Sequence, residues 1–127
     1  MATSIKKKNY WKEWVAKNPD KYKATAAKYR QTDKYKNTMR NSRYKRIFGI
    51  TLEDYNLMLE NQNYVCSICK CPETSKHKNG KIKELAVDHC HSTGQIRGLL
   101  CDRCNHLLGL AKDSKILLTS AIKYLGE

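Results

Sequence analysis

Apolar positions recur along most of this chain at helical spacing. Trp11, Trp14 and Val15 form a first small cluster, behind a polar, basic stretch over 1–10 that is expected to fray. Tyr22, Ala26 and Tyr29 then fall at i, i+4 and i+7, which places them on one helix face. Asn18-Pro19-Asp20 reads as the start of that helix, with Asn18 as N-cap and Pro19 at the first helical position. Thr32-Asp33 interrupts or restarts it. Tyr44, Ile47 and Phe48 make a second stripe, and Gly49 can close it. Thr51 can cap a helix that carries Leu52, Tyr55 and Leu59 on one face, with Glu53 and Asp54 at the positive end of its dipole. A last stripe of Leu117, Leu118, Ala121, Ile122 and Leu125 follows a cap at Asp113-Ser114 and stops at Gly126. It is expected to cover the rest of the domain or, alternatively, to form a dimer face.

The middle of the chain reads differently. Leu85-Ala86-Val87 is a strand, Ser92-Thr93-Gly94-Gln95 a turn, and Ile96 to Leu100 the return strand. Asp102 to Ala111 resumes the helical pattern, with Leu107, Leu108 and Leu110 as its packing residues. The fold class is therefore a small α+β domain, a β-hairpin plus helix flanked by further helices.

Charge divides the chain. Lys and Arg total 25 against 12 Asp and Glu, a formal net charge of +13 over 127 residues. Residues 1–50 hold 15 of these bases and 3 of the acids; residues 51–127 hold 10 and 9. A tyrosine between two bases recurs in the basic part, at Lys21-Tyr22-Lys23, Lys28-Tyr29-Arg30, Lys34-Tyr35-Lys36 and Arg43-Tyr44-Lys45, the last followed by Arg46. Such a segment attracts phosphate backbones with strong salt dependence. The tyrosines serve either as a helix-packing stripe or as phosphate hydrogen-bond donors, and the two uses are compatible. The segment is too poor in apolar surface for a core of its own. We read 1–46 as a basic helical arm that contacts DNA and 47–127 as the domain that carries chemistry.

Six cysteines could mean a disulfide framework, but four of them stand as Cys66-x-x-Cys69 and Cys101-x-x-Cys104, with 31 residues between the pairs. That spacing is a structural zinc signature: each pair supplies two thiolates, and four fill the tetrahedron of a Zn²⁺ that does no chemistry. Cys71 is expected to be a free thiol and Cys90 a packed one. No stretch approaches the ~20 apolar residues of a membrane span, and residues 1–15 lack the apolar run of a signal peptide. A reducing, cytoplasmic setting is the default.

Between the cysteine pairs lies Asp88-His89-Cys90-His91, and Asn105 follows the last cysteine directly. A zinc clasp would bring an acid, two histidines and an amide towards one another. Asp88-His89-x-His91, the run Thr93-Gly94-x-Ile96-Arg97-Gly98-Leu99-Leu100-Cys101 and Cys104-Asn105 resemble the phage recombination endonuclease VII family, within the wider HNH or ββα-metal (His-Me finger) nucleases. The resemblance covers about residues 47–125.

The resemblance implies a zinc-stapled ββα finger that hydrolyses phosphodiester bonds in double-stranded DNA, branched or nicked substrates included, leaving 5′-phosphate and 3′-hydroxyl ends. It makes Asp88 and Asn105 ligands of one catalytic Mg²⁺ or Mn²⁺, His89 the general base, and His91 the residue that orients or stabilises the scissile phosphate. It also implies a phage-encoded enzyme acting in the host cell. The residue types suit these tasks on their own terms. Oxygen donors suit a hard cation, and a histidine can take a proton from water near neutral pH. Arg97 is either a phosphate contact or a surface salt bridge, His106 a structural or exposed neighbour, and His77 a surface residue. In a regular strand Asp88 and His89 would face opposite sides, so a shared site requires an irregularity there. Junction resolution takes two cuts, for which a homodimer is the natural route. The reading set against all this is a non-catalytic zinc-stabilised DNA-binding module; a toxin-like or RNA-directed nuclease is a third.

Overall fold

The backbone of residues 2–126, and the side chains of residues 9–126, are described in a computed structural model. Its elements are α1 (Ala2–Lys17), α2 (Pro19–Arg30), α3 (Asp33–Phe48), α4 (Leu52–Asn61), β1 (Ala86–His89), β2 (Ile96–Leu100), α5 (Asp102–Leu110) and α6 (Lys115–Tyr124). The chain divides into two compact units between Arg43 and Tyr44.

In the first unit α1 is helical from Ala2, through the stretch expected to fray. Pro19 opens α2 as its fixed φ favours, but the Asn18 side chain does not cap that helix. Its amide donates instead to the Trp14 carbonyl of α1 at 2.9 Å. Thr32 restarts the chain, its hydroxyl accepting from Tyr35 N–H at 3.3 Å. Trp11 stacks on Trp14 with centroids 5.4 Å apart, and Tyr22 meets Trp11 edge-on at 6.0 Å. Tyr29 and Tyr35 make another edge contact at 5.4 Å. Rings thus pack on rings, yet no side chain from 9 to 43 is fully buried.

The second unit has a core. Tyr55, 1% exposed, stacks on Tyr44 with centroids 5.0 Å apart, and its hydroxyl donates to the Leu85 carbonyl at 2.7 Å. Leu99, Leu100, Leu85, Cys66, Cys101 and Cys104 complete the buried set, with Phe48, Leu52, Leu59 and Leu108 packed against it. Each large apolar side chain so buried contributes roughly 1.5–3 kcal/mol. Thr51 and Asp54 form a reciprocal capping box that sets the start of α4. At the end of α4, Gln62 braces the sheet: its Oε1 accepts from Leu99 N–H at 2.9 Å and its amide donates to the Leu99 carbonyl at 3.0 Å.

β1 and β2 are antiparallel, with Ala86 opposite Leu100, Val87 opposite Leu99, Asp88 opposite Gly98, and then His89 opposite Ile96. The register shifts between Asp88 and His89. Arg97 is therefore an extra residue in β2 with no partner across the sheet. Helix α5 follows directly and contacts both strands.

Two packing expectations fail. Of the three leucines expected to pack from α5, only Leu108 lies against the core; Leu107 and Leu110 are exposed. On α6 no residue is buried, and Ile116, Leu117, Ile122 and Leu125 are all more than half exposed, so its stripe does not cover the domain. The periodicity was correct for a helix, but periodicity does not say that a partner surface is present.

Candidate active site and metal centre

The metal centre begins with two turns. After Cys69 the chain reverses through Lys70 at φ 59°, and Cys66 N–H donates to the Cys71 carbonyl at 2.9 Å. Cys101 is the N-cap of α5, and its sulfur accepts from Cys104 N–H at 3.4 Å. Ile68 N–H points likewise at the Cys66 sulfur, at 3.4 Å. These contacts fix the Cys66 and Cys101 sulfurs. The ligand atoms of Cys66, Cys69, Cys101 and Cys104 lie within 4.8 Å of one another, and those of Cys69 and Cys101 are 3.8 Å apart. A tetrahedron of sulfurs about 2.3 Å from a Zn²⁺ has edges of about 3.8 Å, so the four are placed to hold a metal such as zinc.

The thiol chemistry agrees. Burial pushes the Cys66 thiol up, but hydrogen bonds from the Cys101, Cys69 and Ile68 groups outweigh it and bring it down to about 6. Burial, then the thiols around it, push Cys104 up to about 12. Four sulfurs this close repel one another once deprotonated unless a cation sits among them. Cys71 is outside the cluster and exposed. Cys90 is half-buried and also apart, its thiol brought down to about 7 by the Thr93 hydroxyl and by the Thr93 and Ser92 N–H groups.

The clasp touches the hairpin closely. Ser67 N–H donates to the Leu99 carbonyl at 3.0 Å. A Cβ on Gly98 would meet Ser67 Oγ at 2.9 Å, so glycine is what lets the first knuckle lie against the strand position opposite Asp88. Glu73 ties the following loop to α5. Its Oε1 accepts from Thr74 and Ser75 N–H, each at 2.9 Å, and its Oε2 from Asp102 N–H at 2.7 Å.

On the hairpin, Asp88 is 8% exposed and is the buried charged residue among those described. Arg97 holds it from both sides, Nε to Oδ2 at 2.7 Å and Nη2 to Oδ1 at 3.0 Å. Arg97 Nη2 also reaches Asp113 Oδ1 at 3.3 Å. These carboxylates, Asp88 foremost, raise the arginine's pKa above its ordinary value against the opposing effect of burial. The salt bridge among its sequence readings is thus formed, to Asp88 and to Asp113. The His89 ring, half-buried, lies 5.7 Å from the Phe48 ring and 4.9 Å from that of His91. His91 lies beyond the end of β1, in the connecting turn, so the two imidazoles are neighbours by the turn rather than by sharing a strand face. His91 Nδ1 is 3.1 Å from Asp113 Oδ2. That contact, then Arg97, hold the Asp113 carboxyl below its ordinary range.

Asn105 sits exposed in the first turn of α5, next to Cys104. Among the described residues no hydrogen bond links its side chain to Asp88, His89 or His91. His106 is exposed, its Nδ1 2.9 Å from the Asp102 carbonyl, and His77 is exposed in the loop. Lys21, Lys23, Lys28, Arg30, Lys34, Lys36, Arg43, Lys45 and Arg46 are all exposed along α2 and α3. The sequence reading missed Phe48 beside His89, Glu73 on the α5 start and, above all, Asp113. A stripe residue, a loop acid and a helix cap carry no signal that separates these uses from ordinary ones.

Fold and site together define a small α+β protein with four cysteines placed to hold a metal and a hairpin that gathers a buried aspartate and two histidines. The chain belongs to the recombination endonuclease VII family, whose description matches residues 41–127. It is similar to the Gene 59 protein of Mycobacterium phage D29, 47% identical over 79 residues, and to the Gene 59 protein of Mycobacterium phage L5, 44% identical over 79 residues. Each alignment covers 61% of this chain and 44% of the relative, so the chain matches less than half the length of these proteins. No solved structure matches it. Among the described residues no helix is long and apolar enough to cross a membrane.

Proposed function

We propose that this chain is a metal-dependent DNA endonuclease of the HNH type, with β1, β2 and α5 as a ββα-metal finger and the four cysteines holding a structural zinc. The observation that carries the reading is the half-buried His89 imidazole, one residue from buried Asp88 at the strand irregularity and 4.9 Å from His91.

The donor set suits a hard divalent cation. Arg97 takes one contact at each Asp88 oxygen, and a carboxylate has about four lone-pair sites, so acceptor capacity remains. Asp88 and the Asn105 amide oxygen would hold Mg²⁺ or Mn²⁺. Such an ion, when bound, would supply charge stabilisation on the phosphate and the leaving oxygen. His89 accepts the proton of the attacking water while the new P–O bond forms. The bond to the 3′ oxygen breaks, that oxygen is protonated from solvent, and the phosphate stays on the 5′ end. His91 orients the phosphate from the neighbouring position. Double-stranded DNA, branched or nicked forms included, is the proposed substrate. The basic arm over 1–46 is its proposed contact and the host cell its proposed place of action. Two copies per substrate are the natural arrangement where both strands are cut.

The Asp88–Arg97 pair is also what a purely structural aspartate would make. It therefore favours the second reading, a zinc-stabilised DNA-binding module without chemistry. One experiment separates them: cleavage of supercoiled plasmid with Mg²⁺ by wild type and His89→Ala, with zinc content measured on both. Nicked or linear product from wild type and none from the zinc-loaded variant is the expected result. Two zinc-loaded proteins that shift plasmid and branched DNA without cutting either would leave only the binding module.

A further inference from the structure

Asp113 stands in the turn between α5 and α6, where an Asp-Ser pair suggests a helix cap. The cap is Ser114 alone, whose Oγ accepts from Leu117 N–H at 3.1 Å. Asp113 faces the other way. Its two oxygens go to two residues of the hairpin: Oδ2 to His91 Nδ1 at 3.1 Å, and Oδ1 to Arg97 Nη2 at 3.3 Å. Arg97 in turn grips Asp88. One unbroken chain of polar contacts thus runs His91–Asp113–Arg97–Asp88.

The backbone gives up favourable geometry to make it. Lys112 and Asp113 are consecutive non-glycine residues in the left-handed region, at φ 50° and 56°. Lysine has no special tolerance for that region, whereas aspartate has some. The turn is held by Lys112 N–H to the Gly109 carbonyl and Asp113 N–H to the Leu108 carbonyl, each at 3.1 Å. Backbone held in sparsely populated conformations tends to cluster where a side chain must be aimed.

We propose that Asp113 is a positioning residue of the nuclease site. It fixes His91 in one tautomer and orientation, and it steadies Arg97 against Asp88. A carboxylate at Nδ1 keeps the imidazole proton there, which leaves Nε2 as the ring nitrogen available to substrate. The inference rests on the nuclease reading for its kinetic consequence, but the tautomer does not depend on that reading.

The test uses the zinc-loaded full chain. Asp113→Gly removes the carboxylate and suits the positive φ; Asp113→Asn keeps the shape, tolerates the same φ and removes the charge. Long-range ¹H–¹⁵N spectra at a pH where His91 is neutral, assigned with His91→Gln, read the tautomer. The wild type should carry its proton on Nδ1, and Asp113→Gly should move it predominantly to Nε2. With plasmid as substrate, both variants should lose about 10–100-fold in kcat, the range for partners of site residues, with KM little changed. Asp113→Glu should recover part of the loss. An unchanged tautomer in Asp113→Gly, or kcat unaltered in both variants, overturns the proposal while leaving the nuclease reading intact. A wild type that cuts nothing overturns the nuclease reading and with it a catalytic purpose for Asp113, and the spectra still decide whether the contact to His91 exists.

Discussion

Arg97, the residue that the strand irregularity leaves without a partner, closes on both oxygens of Asp88 at 2.7 and 3.0 Å. A regular hairpin would send residue 97 into the ladder opposite its neighbours. The extra residue frees the arginine to fold over the aspartate, so a nearly enclosed carboxylate has a cationic partner on both oxygens.

Removing the arginine should therefore cost stability. A fully buried pair that loses one member costs ~3–5 kcal/mol. The Arg97 side chain is 37% exposed, so water screens part of the interaction and Arg97→Leu should cost about 2–3 kcal/mol. Asp88→Leu in the same background should return most of it, because no charge is then stranded. Thermal unfolding of the zinc-loaded proteins measures both. A loss below about 0.5 kcal/mol in Arg97→Leu would place the pair among ordinary surface salt bridges.

Metal removal tests the clasp. Structural zinc contributes folding free energy on the order of 10 kcal/mol, and Cys66 and Cys104 lie inside the core. Cys104→Ser should bind no zinc tightly and should lose its cooperative melting transition, as should the wild type after exhaustive chelation. Cys71→Ser and Cys90→Ser, outside the cluster, should retain one zinc per chain. Full thermal stability of a zinc-free protein would sink the clasp.

Glu73 predicts the acid limb. Burial raises its pKa, but the N–H groups of Ser75, Asp102 and Thr74 more than offset this and hold it below the ordinary carboxylate value. A folded pKa below the unfolded one contributes stability that is present above the unfolded value, about 4.3, and is lost as pH falls through the folded value. Glu73→Ala should accordingly cost about 1–3 kcal/mol at pH 7. Its deficit against wild type should shrink steadily below pH 4. A deficit that is the same at pH 7 and pH 3.5 would mean that the charge of Glu73 is not what the loop uses.

Local signals in the sequence were enough for much of this. The cap at Thr51, the stop at Gly49, the return strand Ile96–Leu100 and the two cysteine turns are each set within a few residues, and each stands where the pattern puts it. The need for an irregularity beside Asp88 also followed, from two site residues being adjacent in a strand whose side chains alternate. What did not follow depends on long-range choice. Asn18 and Asp113 both have cap chemistry, and both spend their side chains elsewhere, on Trp14 and on the hairpin. The apolar stripe of α6 specifies a helix face but not a neighbour, and among the described residues that face remains largely exposed.

The basic arm gives the last prediction, and the structure sets how it must be tested. Truncating at residue 46 would remove Tyr44, which stacks on Tyr55 in the core, so lost binding could merely report a damaged domain. Neutralising charges in the full chain avoids this. Lys21, Lys23, Lys28, Arg30, Lys34 and Lys36 are exposed on α2 and the first turn of α3, well before the core residue Tyr44. Changing these six to glutamine preserves helix propensity closely. If they lie on phosphates, each lost contact flattens the plot of log K against log salt by roughly 0.9. Engaging half of them would lower the slope by about 3, with the melting temperature unchanged. The converse set, Lys76, Lys78 and Lys81 in the loop after the first knuckle, should change the slope much less. Equal salt slopes for wild type and the six-fold variant would mean that DNA does not use the arm, whatever its net charge.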